Sequence, residues 1–124
     1  MTSPEVVVES VSALTRLKYW DVVSNVFAQA DPEKLRQGMS LFGAETRFFA
    51  VEHEGGYASV LFLTPVALGR YRMGGIGGVC TLPEYSGFGY GRAVLERALS
   101  ETEGSYSALL LWTRIPEYFS QSGF

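Results

Sequence analysis

The spacing of hydrophobic positions changes along the chain and predicts the order of its secondary structure. Residues 5–10, EVVVES, are a short β-branched run typical of a first strand. Beyond them, apolar residues recur every three or four positions to about residue 29, which predicts an amphipathic helix with Ser12 as its N-cap. The apolar positions of this helix are Leu14, Leu17, Trp20, Val23 and Phe27.

A second, shorter helix is predicted from DPEKLRQGMSLFG, which begins at residue 31. Asp31 is suited to cap it, and Pro32 fits the first helical position because that position needs no N–H donor. One face of this helix would carry Leu35, Met39 and Phe42.

Two extended runs follow, TRFFAVEHE and YASVLFLTPVAL, and they flank Gly55 and Gly56. A glycine pair suits the positive φ angles of a tight turn, so these runs predict an antiparallel hairpin. Residues 71–82, YRMGGIGGVCTL, form the next extended segment, which Pro83 ends. Its four glycines are unfavourable in a strand and indicate a bulge or a surface that another group must approach closely.

The last third of the chain predicts a helix, a strand and a short helix. After the loop EYSGFGYGRA, the apolar stripe and two i,i+4 pairs, Arg92/Glu96 and Arg97/Glu101, predict a helix that Gly104 ends. The run YSALLLWT is typical of a buried, parallel strand, and IPEYFSQS predicts a short helix. The stripe consists of Val94, Leu95, Ala98 and Leu99.

Composition narrows the class of protein. A length of 124 residues with 47% hydrophobic and 19% charged positions predicts one soluble domain that spans residues 1–124. A net charge of −3 without a run of Lys or Arg argues against nucleic-acid binding. The chain has one cysteine, no apolar run long enough for a membrane span and no signal-peptide pattern, so a cytoplasmic protein without membrane association is expected.

The glycine-rich loop, with Gly87, Gly89 and Gly91 at alternate positions, joins a strand to a helix N-terminus. Such a junction presents free backbone N–H groups and the positive end of a helix dipole, which together bind phosphate. The spacing matches neither GxGxxG nor a P-loop, and no Lys follows. Taken alone, the loop is equally compatible with a tight strand-to-helix turn.

In context, the sequence GGVCTLPEYSGFGYGRAVLERAL, an apolar strand and then YFSQSGF resemble the GCN5-related N-acetyltransferase (GNAT) family. The core of that family reads strand, V-x-x-x-P-x-x-R-G-x-G-x-G, helix, strand, F-Y-x-x-x-G-F. The match in residues runs from about residue 74 to residue 124, and the upstream elements agree in order. The resemblance implies an α/β fold with a mixed, mostly antiparallel sheet and helices on both faces.

The resemblance also implies direct acetyl transfer from acetyl-coenzyme A to an amine acceptor, a small molecule or a protein. The coenzyme would enter between the fourth and fifth strands, and Val79 and Thr81 would offer backbone groups to its pantetheine arm. The Val79 N–H would in addition polarise the thioester carbonyl. The loop expected to hold the pyrophosphate comprises Ser86, Gly87, Phe88, Gly89, Tyr90, Gly91 and Arg92.

The chain departs from the family pattern in three places. Ser86 stands where the family has a basic residue or glutamine, and Phe88 stands where it has a second common arginine. The tyrosine that protonates the departing thiolate in many members falls on Phe119, with Tyr118 one residue away as the alternative acid. No sequence follows GF to supply the strands that relatives have there, so a fragment, a shortened relative or a strand-exchanged homodimer is expected.

Other candidate residues have two interpretations each. Cys80 is a possible nucleophile, although a packed core residue is the favoured interpretation. His53, with Glu52 and Glu54, is a candidate general base or a solvated hairpin end, and Glu84 and Glu117 are similar candidates. Apolar residues of the first two helices either wall an acceptor pocket or form plain core. These residues are Trp20, Phe27, Met39 and Phe42. No residue cluster has metal-ligand spacing, and no metal is expected.

Two classes of function therefore remain. One is an active N-acetyltransferase, and the other is a catalytically weak acyl-coenzyme A binding domain or a remnant. A correctly placed acid and base would separate them, and the sequence alone assigns neither.

Overall fold

The computed structural model describes residues 4–40 and 42–111. Strand β1 is followed by helices α1 and α2, a three-strand meander, a 3₁₀ helix, helix α3 and strand β5. The bounds are β1 Val7–Ser10, α1 Ala13–Val26, α2 Pro32–Met39, β2 Arg47–His53, β3 Gly56–Leu68, β4 Tyr71–Thr81, the 3₁₀ helix Pro83–Tyr85, α3 Tyr90–Thr102 and β5 Leu109–Leu111.

The strands form one five-stranded sheet in the order β1-β2-β3-β4-β5. The pairs β1–β2, β2–β3 and β3–β4 are antiparallel, whereas β5 runs parallel to β4. The parallel pairing follows from the connection, because α3 carries the chain back across the sheet before β5 begins. The predicted mixed, mostly antiparallel sheet is confirmed.

Two hydrophobic cores lie on opposite faces of this sheet, since neighbouring strand residues point to opposite sides. On one face, Tyr19, Val22 and Val23 of α1 pack against β2, β3 and β4. On the other face, Val94, Leu95 and Ala98 of α3 pack against the same strands. The prediction of helices on both faces is therefore confirmed.

Helix α1 begins as predicted but buries a different face. The Thr15 N–H donates to Ser12 Oγ at 3.1 Å, and the Ser12 N–H donates to Thr15 Oγ1 at 2.8 Å, so Ser12 is the N-cap of a capping box. The expected apolar stripe is confirmed at Val23, which is buried, but it is wrong at Leu14 and Leu17, which are 60% and 57% exposed. The buried face carries Thr15, Tyr19, Val22 and Val23. Apolar side chains occur on both faces, so periodicity could not choose between them.

Two local predictions need correction by a few positions. Helix α2 has the predicted Asp31 cap, whose carboxylate accepts from the Glu33 N–H at 3.0 Å, but it ends at Met39. Phe42 is therefore in the core without being on the helix. In the hairpin, the turn residues are Glu54 and Gly55, with φ of 52° and 81°. Gly56 already pairs with His53, so the turn lies one residue earlier than predicted.

Helix α3 confirms its predicted C-terminal end and ion pairs, although it begins at Tyr90, within the segment predicted as the glycine-rich loop. Gly104, with φ of 78°, follows the helix, and the two arginine–glutamate pairs close at 3.0 and 2.8 Å. The predicted strand at 106–113 is described only as far as Leu111, and the predicted helix at 115–122 lies outside the described residues. No helix in the described part of the chain is long and apolar enough to cross a membrane.

Candidate functional site

Strand β4 contains the bulge that its glycines predicted. Gly77 pairs with Phe62 and Cys80 pairs with Val60, so Gly78 and Val79 together oppose the single residue Leu61. Gly78 has φ of 61°, and a β-carbon there would collide with the hydroxyl of Tyr19. Both the backbone angle and the close approach of α1 therefore require glycine at position 78.

The edge of β4 that faces β5 is covered over only part of its length. Leu109, Leu110 and Leu111 pair with Gly74, Gly75 and Ile76. Within the described ranges, no strand pairs with residues 77–81 on that side. The stretch of edge that the described residues leave unpaired begins beside the bulge and leads to the glycine-rich loop. Val79 and Thr81, the predicted pantetheine-binding residues, both lie along it.

The loop between β4 and α3 adopts the backbone that its glycines allow. The 3₁₀ helix ends with the Ser86 N–H donating to the Pro83 carbonyl at 3.1 Å. Gly87 and Gly89 then have φ of 86° and 79°, and a β-carbon at either position would meet no atom within 4 Å. These two glycines are needed for conformation. Gly91 has no positive φ and lies in the first turn of α3, so its backbone conformation does not require a glycine.

The loop leaves a group of backbone donors free. The first backbone bond of α3 is donated by Ala93 to the Gly89 carbonyl at 3.0 Å. The N–H groups of Tyr90, Gly91 and Arg92 therefore have no partner inside the helix. Among the residues described, the loop amides of Gly87 to Gly89 also lack an acceptor. Six consecutive N–H groups, those of residues 87–92, thus lie at the positive end of the α3 dipole.

The side chains around these donors supply little positive charge. Arg92 Nε lies 3.0 Å from Glu96 Oε1, so its guanidinium is paired along the helix. Ser86 is exposed, and the Phe88 ring is 63% exposed while it stacks on Tyr90 at a centroid distance of 5.7 Å. Any anion at this site would be held by backbone dipoles more than by side-chain charge.

The hydroxyl of Thr81 is already engaged at the end of β4. It lies 2.8 Å from Ser59 Oγ, which in turn donates to the Cys80 carbonyl at 3.2 Å. Only the backbone of Thr81 is therefore left to contact a ligand, as the sequence prediction supposed.

The nucleophile interpretation of Cys80 has no structural support. The side chain is 6% exposed in the core beside α1, and burial raises the pKa of its thiol from 9.0 to about 12. A thiol with such a pKa remains protonated near neutral pH and is a poor nucleophile. The favoured interpretation, a packed core residue, agrees with this position.

The candidate bases lie at the loop end of the sheet. His53 Nδ1 is 2.6 Å from the Tyr85 hydroxyl, and both side chains are at the surface. Glu52 is 3.7 Å from Lys18, which also lies 3.6 Å from Glu9. These contacts tie His53 and Glu52 to neighbouring side chains, and neither lies at the bulge.

Of the suggested acceptor-pocket residues, Trp20, Met39 and Phe42 belong to the core on the α1 side of the sheet, and Phe27 does not. Phe42 is buried with Tyr19 and Phe48, whereas Phe27 is 41% exposed beyond the end of α1. Trp20 is half-buried and packs under the guanidinium of Arg36, 4.9 Å from its centroid. Phe42 is plain core, and Phe27 lies apart from it.

Tyr118, the alternative acid, lies outside the described residues, as do Glu117 and Phe119. In the described part of the chain, no group of acidic, His or Cys side chains has a geometry that would hold a metal ion. The sequence analysis missed Tyr19, whose hydroxyl lies at the bulge. Its one detectable signal was the set of glycines in β4, which indicated that something approaches that strand closely.

No family model matches the sequence, and no curated protein matches it significantly. Solved structures do match its fold. A conserved Enterococcus faecalis V583 protein of unknown function, described as a "Probable N-Acyltransferase", superposes with a TM-score of 0.78 at 22% identity over 96% of this chain. This chain spans only 32% of that protein's length.

Two further structures match along most of both chains. A GNAT family acetyltransferase from Brucella melitensis in complex with acetyl-CoA gives a TM-score of 0.77 at 18% identity, over 98% of this chain and 84% of its own. A ribosomal-protein-alanine N-acetyltransferase from Brucella melitensis biovar Abortus 2308 gives 0.70 at 13% identity, over 97% and 91%. With its antiparallel meander, β4 bulge, glycine-rich loop and parallel β5, the chain has the fold of the GCN5-related N-acetyltransferase family.

Proposed function

We propose that the chain is an N-acetyltransferase that moves an acetyl group from acetyl-coenzyme A to a primary amine of a small molecule or protein. The amine attacks the thioester directly while both substrates are bound. The observation that carries the proposal is the row of N–H groups at residues 87–92, which have no acceptor among the described residues and lie where the edge of β4 that those residues leave unpaired meets the start of α3.

In this proposal each part of the site has one task. The N–H groups of the loop bind the pyrophosphate, because an anion is favoured at a helix N-terminus whose donors are unpaired. The backbone of Val79 and Thr81 pairs with the amides of the pantetheine arm, as a neighbouring strand would. The acyl end of the coenzyme then lies beside the bulge at Gly78 and Val79.

A coenzyme-binding domain with weak catalysis is the second candidate. It is favoured by the missing cations, since Ser86 and Phe88 carry no charge and Arg92 is paired with Glu96. It is also favoured because the candidate base His53 is bonded to Tyr85 at the loop end of the sheet. Both candidates share the same coenzyme site, so they differ only in the chemistry that follows binding.

A pair of glycine variants tests the coenzyme site. Gly89→Glu places a carboxylate among the donors, and like charges in contact should weaken coenzyme A binding by about 100-fold. Gly104→Glu is the matched control, because Gly104 has nearly the same φ, 78° against 79°, and equally open surroundings at the far end of α3. Both changes strain a left-handed backbone by about 1 kcal/mol. Equal affinities in calorimetry would contradict the loop assignment.

Activity separates the two candidates. Release of coenzyme A from acetyl-coenzyme A should accelerate when the correct amine is added from a panel of small amines and lysine peptides. The same samples report binding by calorimetry. Tight binding without amine-dependent release would favour the binding domain over the enzyme.

A further inference from the structure

The side chain of Tyr19 is buried, yet its polar end is directed at the backbone of β4. It is 4% exposed, and its ring packs against Phe42, Phe48 and Phe62 at centroid distances of 5.5, 5.3 and 6.0 Å. Its hydroxyl oxygen lies against Gly78, at the bulge. Three aromatic contacts fix the ring, so the position of the hydroxyl is set by packing.

This hydroxyl forms no hydrogen bond with the residues that the structure describes, whereas each of their fully enclosed side-chain nitrogen and oxygen atoms has a partner. A partner for the hydroxyl is therefore a ligand, water or a group outside those residues. Since no fully enclosed side-chain oxygen among the described residues lacks a partner, the Tyr19 oxygen is not fully enclosed, although the rest of the side chain is buried. A ligand at the bulge can therefore reach this hydroxyl and take the place of water as its partner.

We propose that Tyr19 is a catalytic residue whose hydroxyl donates a hydrogen bond to the thioester carbonyl oxygen of acetyl-coenzyme A at the bulge. The inference rests on the proposed function, which places the acyl end of the coenzyme beside Gly78 and Val79. It adds a side-chain donor to the Val79 N–H, which alone would form a one-donor oxyanion site.

The reaction balances without transferring the phenolic proton. The amine nitrogen forms a bond to the carbonyl carbon, and the carbonyl π electrons move to the oxygen, where the hydrogen bond from Tyr19 strengthens. When the oxyanion collapses, the C–S bond breaks and the sulfur leaves with its electron pair. The proton released by the amine balances the charge of that thiolate.

Tyr19 suits the role of donor better than that of acid. Burial raises the pKa of its hydroxyl above the ordinary value of 10.0, and the nearby Cys80 raises it further. A thiolate whose conjugate acid has a pKa near 8.5 cannot take a proton efficiently from such a phenol. The hydroxyl therefore stays protonated and acts through its hydrogen bond.

An infrared measurement on the full chain tests the inference without knowledge of the acceptor. The carbonyl stretch of acetyl-coenzyme A labelled with carbon-13 at the carbonyl should fall in frequency on binding to the wild type. In Tyr19→Phe it should return toward the value of free acetyl-coenzyme A, while the affinity for coenzyme A, which lacks the carbonyl, stays unchanged. Once an acceptor is known, kcat should fall by about 100-fold.

Two further variants define the outcome. Tyr57→Phe is the control, because Tyr57 is another buried tyrosine but its hydroxyl donates to Glu9 at 2.5 Å. In this variant the carbonyl band of bound acetyl-coenzyme A should lie at the wild-type frequency. Replacing Tyr19 with 3,5-difluorotyrosine keeps the hydroxyl and makes it a stronger donor, so the band should fall further. Binding with the same band in wild type and Tyr19→Phe would overturn this inference alone. Failure of the wild type to bind acetyl-coenzyme A would overturn the proposed function and this inference with it.

Discussion

At the scale of single residues, the loop between β4 and α3 combines several backbone donors with little side-chain charge. Gly87 and Gly89 hold left-handed angles, and the N–H groups that follow are free among the described residues. Ser86 and Phe88, which flank Gly87, carry no charge. A cation introduced at the loop should therefore raise the affinity for a phosphate group modestly, because it would be exposed to solvent.

Replacing Ser86 with arginine should tighten coenzyme A binding by about twofold to fivefold, because an exposed cation beside an anion contributes up to about 1 kcal/mol. The gain should be largest at low salt, where exposed charges are least screened. Calorimetry at two salt concentrations measures it. Ser105→Arg, an equal charge change at an exposed serine beyond the other end of α3, is the control. A gain that is equal in both variants, or independent of salt, would show that Ser86 does not face the anion.

At the scale of elements, the bulge in β4 joins the strand to α1. Gly78 has a left-handed backbone, which the bulge of the strand requires, and its missing side chain leaves room for the Tyr19 hydroxyl of α1. Gly69 has almost the same φ, 60° against 61°, but a β-carbon there would meet nothing within 4 Å. Replacing Gly69 with alanine therefore adds backbone strain alone, whereas replacing Gly78 adds similar strain and a collision with Tyr19.

Gly69→Ala should lower the free energy of unfolding by about 1 kcal/mol, the strain of a left-handed alanine. Gly78→Ala should cost about 1–3 kcal/mol more, since the new methyl group overpacks against Tyr19. Urea denaturation measures both values. Combining Gly78→Ala with Tyr19→Phe removes the closest colliding atom, so the double variant should lose less stability than the sum of the two single changes. If Gly69→Ala and Gly78→Ala lowered the free energy of unfolding equally, Tyr19 would have moved aside without a cost in free energy.

At the scale of the whole molecule, the sheet separates two cores, and the α1 side contains three buried groups that ionise at alkaline pH: Cys80, Tyr19 and Tyr57. Burial raises the pKa of all three, and the hydrogen bond to Glu9 raises the pKa of Tyr57 further. The unfolded thiol ionises above about pH 9 and the folded thiol only near 12, so between those values the unfolded state binds fewer protons. Stability therefore decreases as pH rises through that window.

Between its unfolded and its folded pKa, each such group should lower the free energy of unfolding by about 1.4 kcal/mol per pH unit. Urea denaturation at about pH 8 and about pH 10 should show it in the wild type. Cys80→Ala lowers stability at both pH values because it leaves a cavity, but it should reduce the decrease between them. An unchanged decrease in Cys80→Ala would show that the thiol does not contribute.

The single domain over residues 1–124 and the possible homodimer stay predictions.

The sequence by itself determined the order of the elements and the position of the glycine-rich loop. The signals were local: a serine cap before α1, a proline after β4, glycines at left-handed positions, and arginine–glutamate pairs on α3. Each depends on the conformation of a few neighbouring residues, which the residue types reveal directly. The bulge in β4 was likewise indicated by its glycines, although its exact residues were not.

Only the tertiary structure decided which side of α1 is buried and what lies at the bulge. Apolar residues occur on both sides of that helix, and the sheet selected Tyr19, Val22 and Val23 while leaving Leu14 and Leu17 exposed. The contact of Tyr19 with Gly78 joins residues far apart in sequence, and no local pattern encodes such a contact. Packing of α1 across β3 and β4 brings the hydroxyl to the bulge, because the side chain that fits a sheet surface is chosen by the shape of its neighbours.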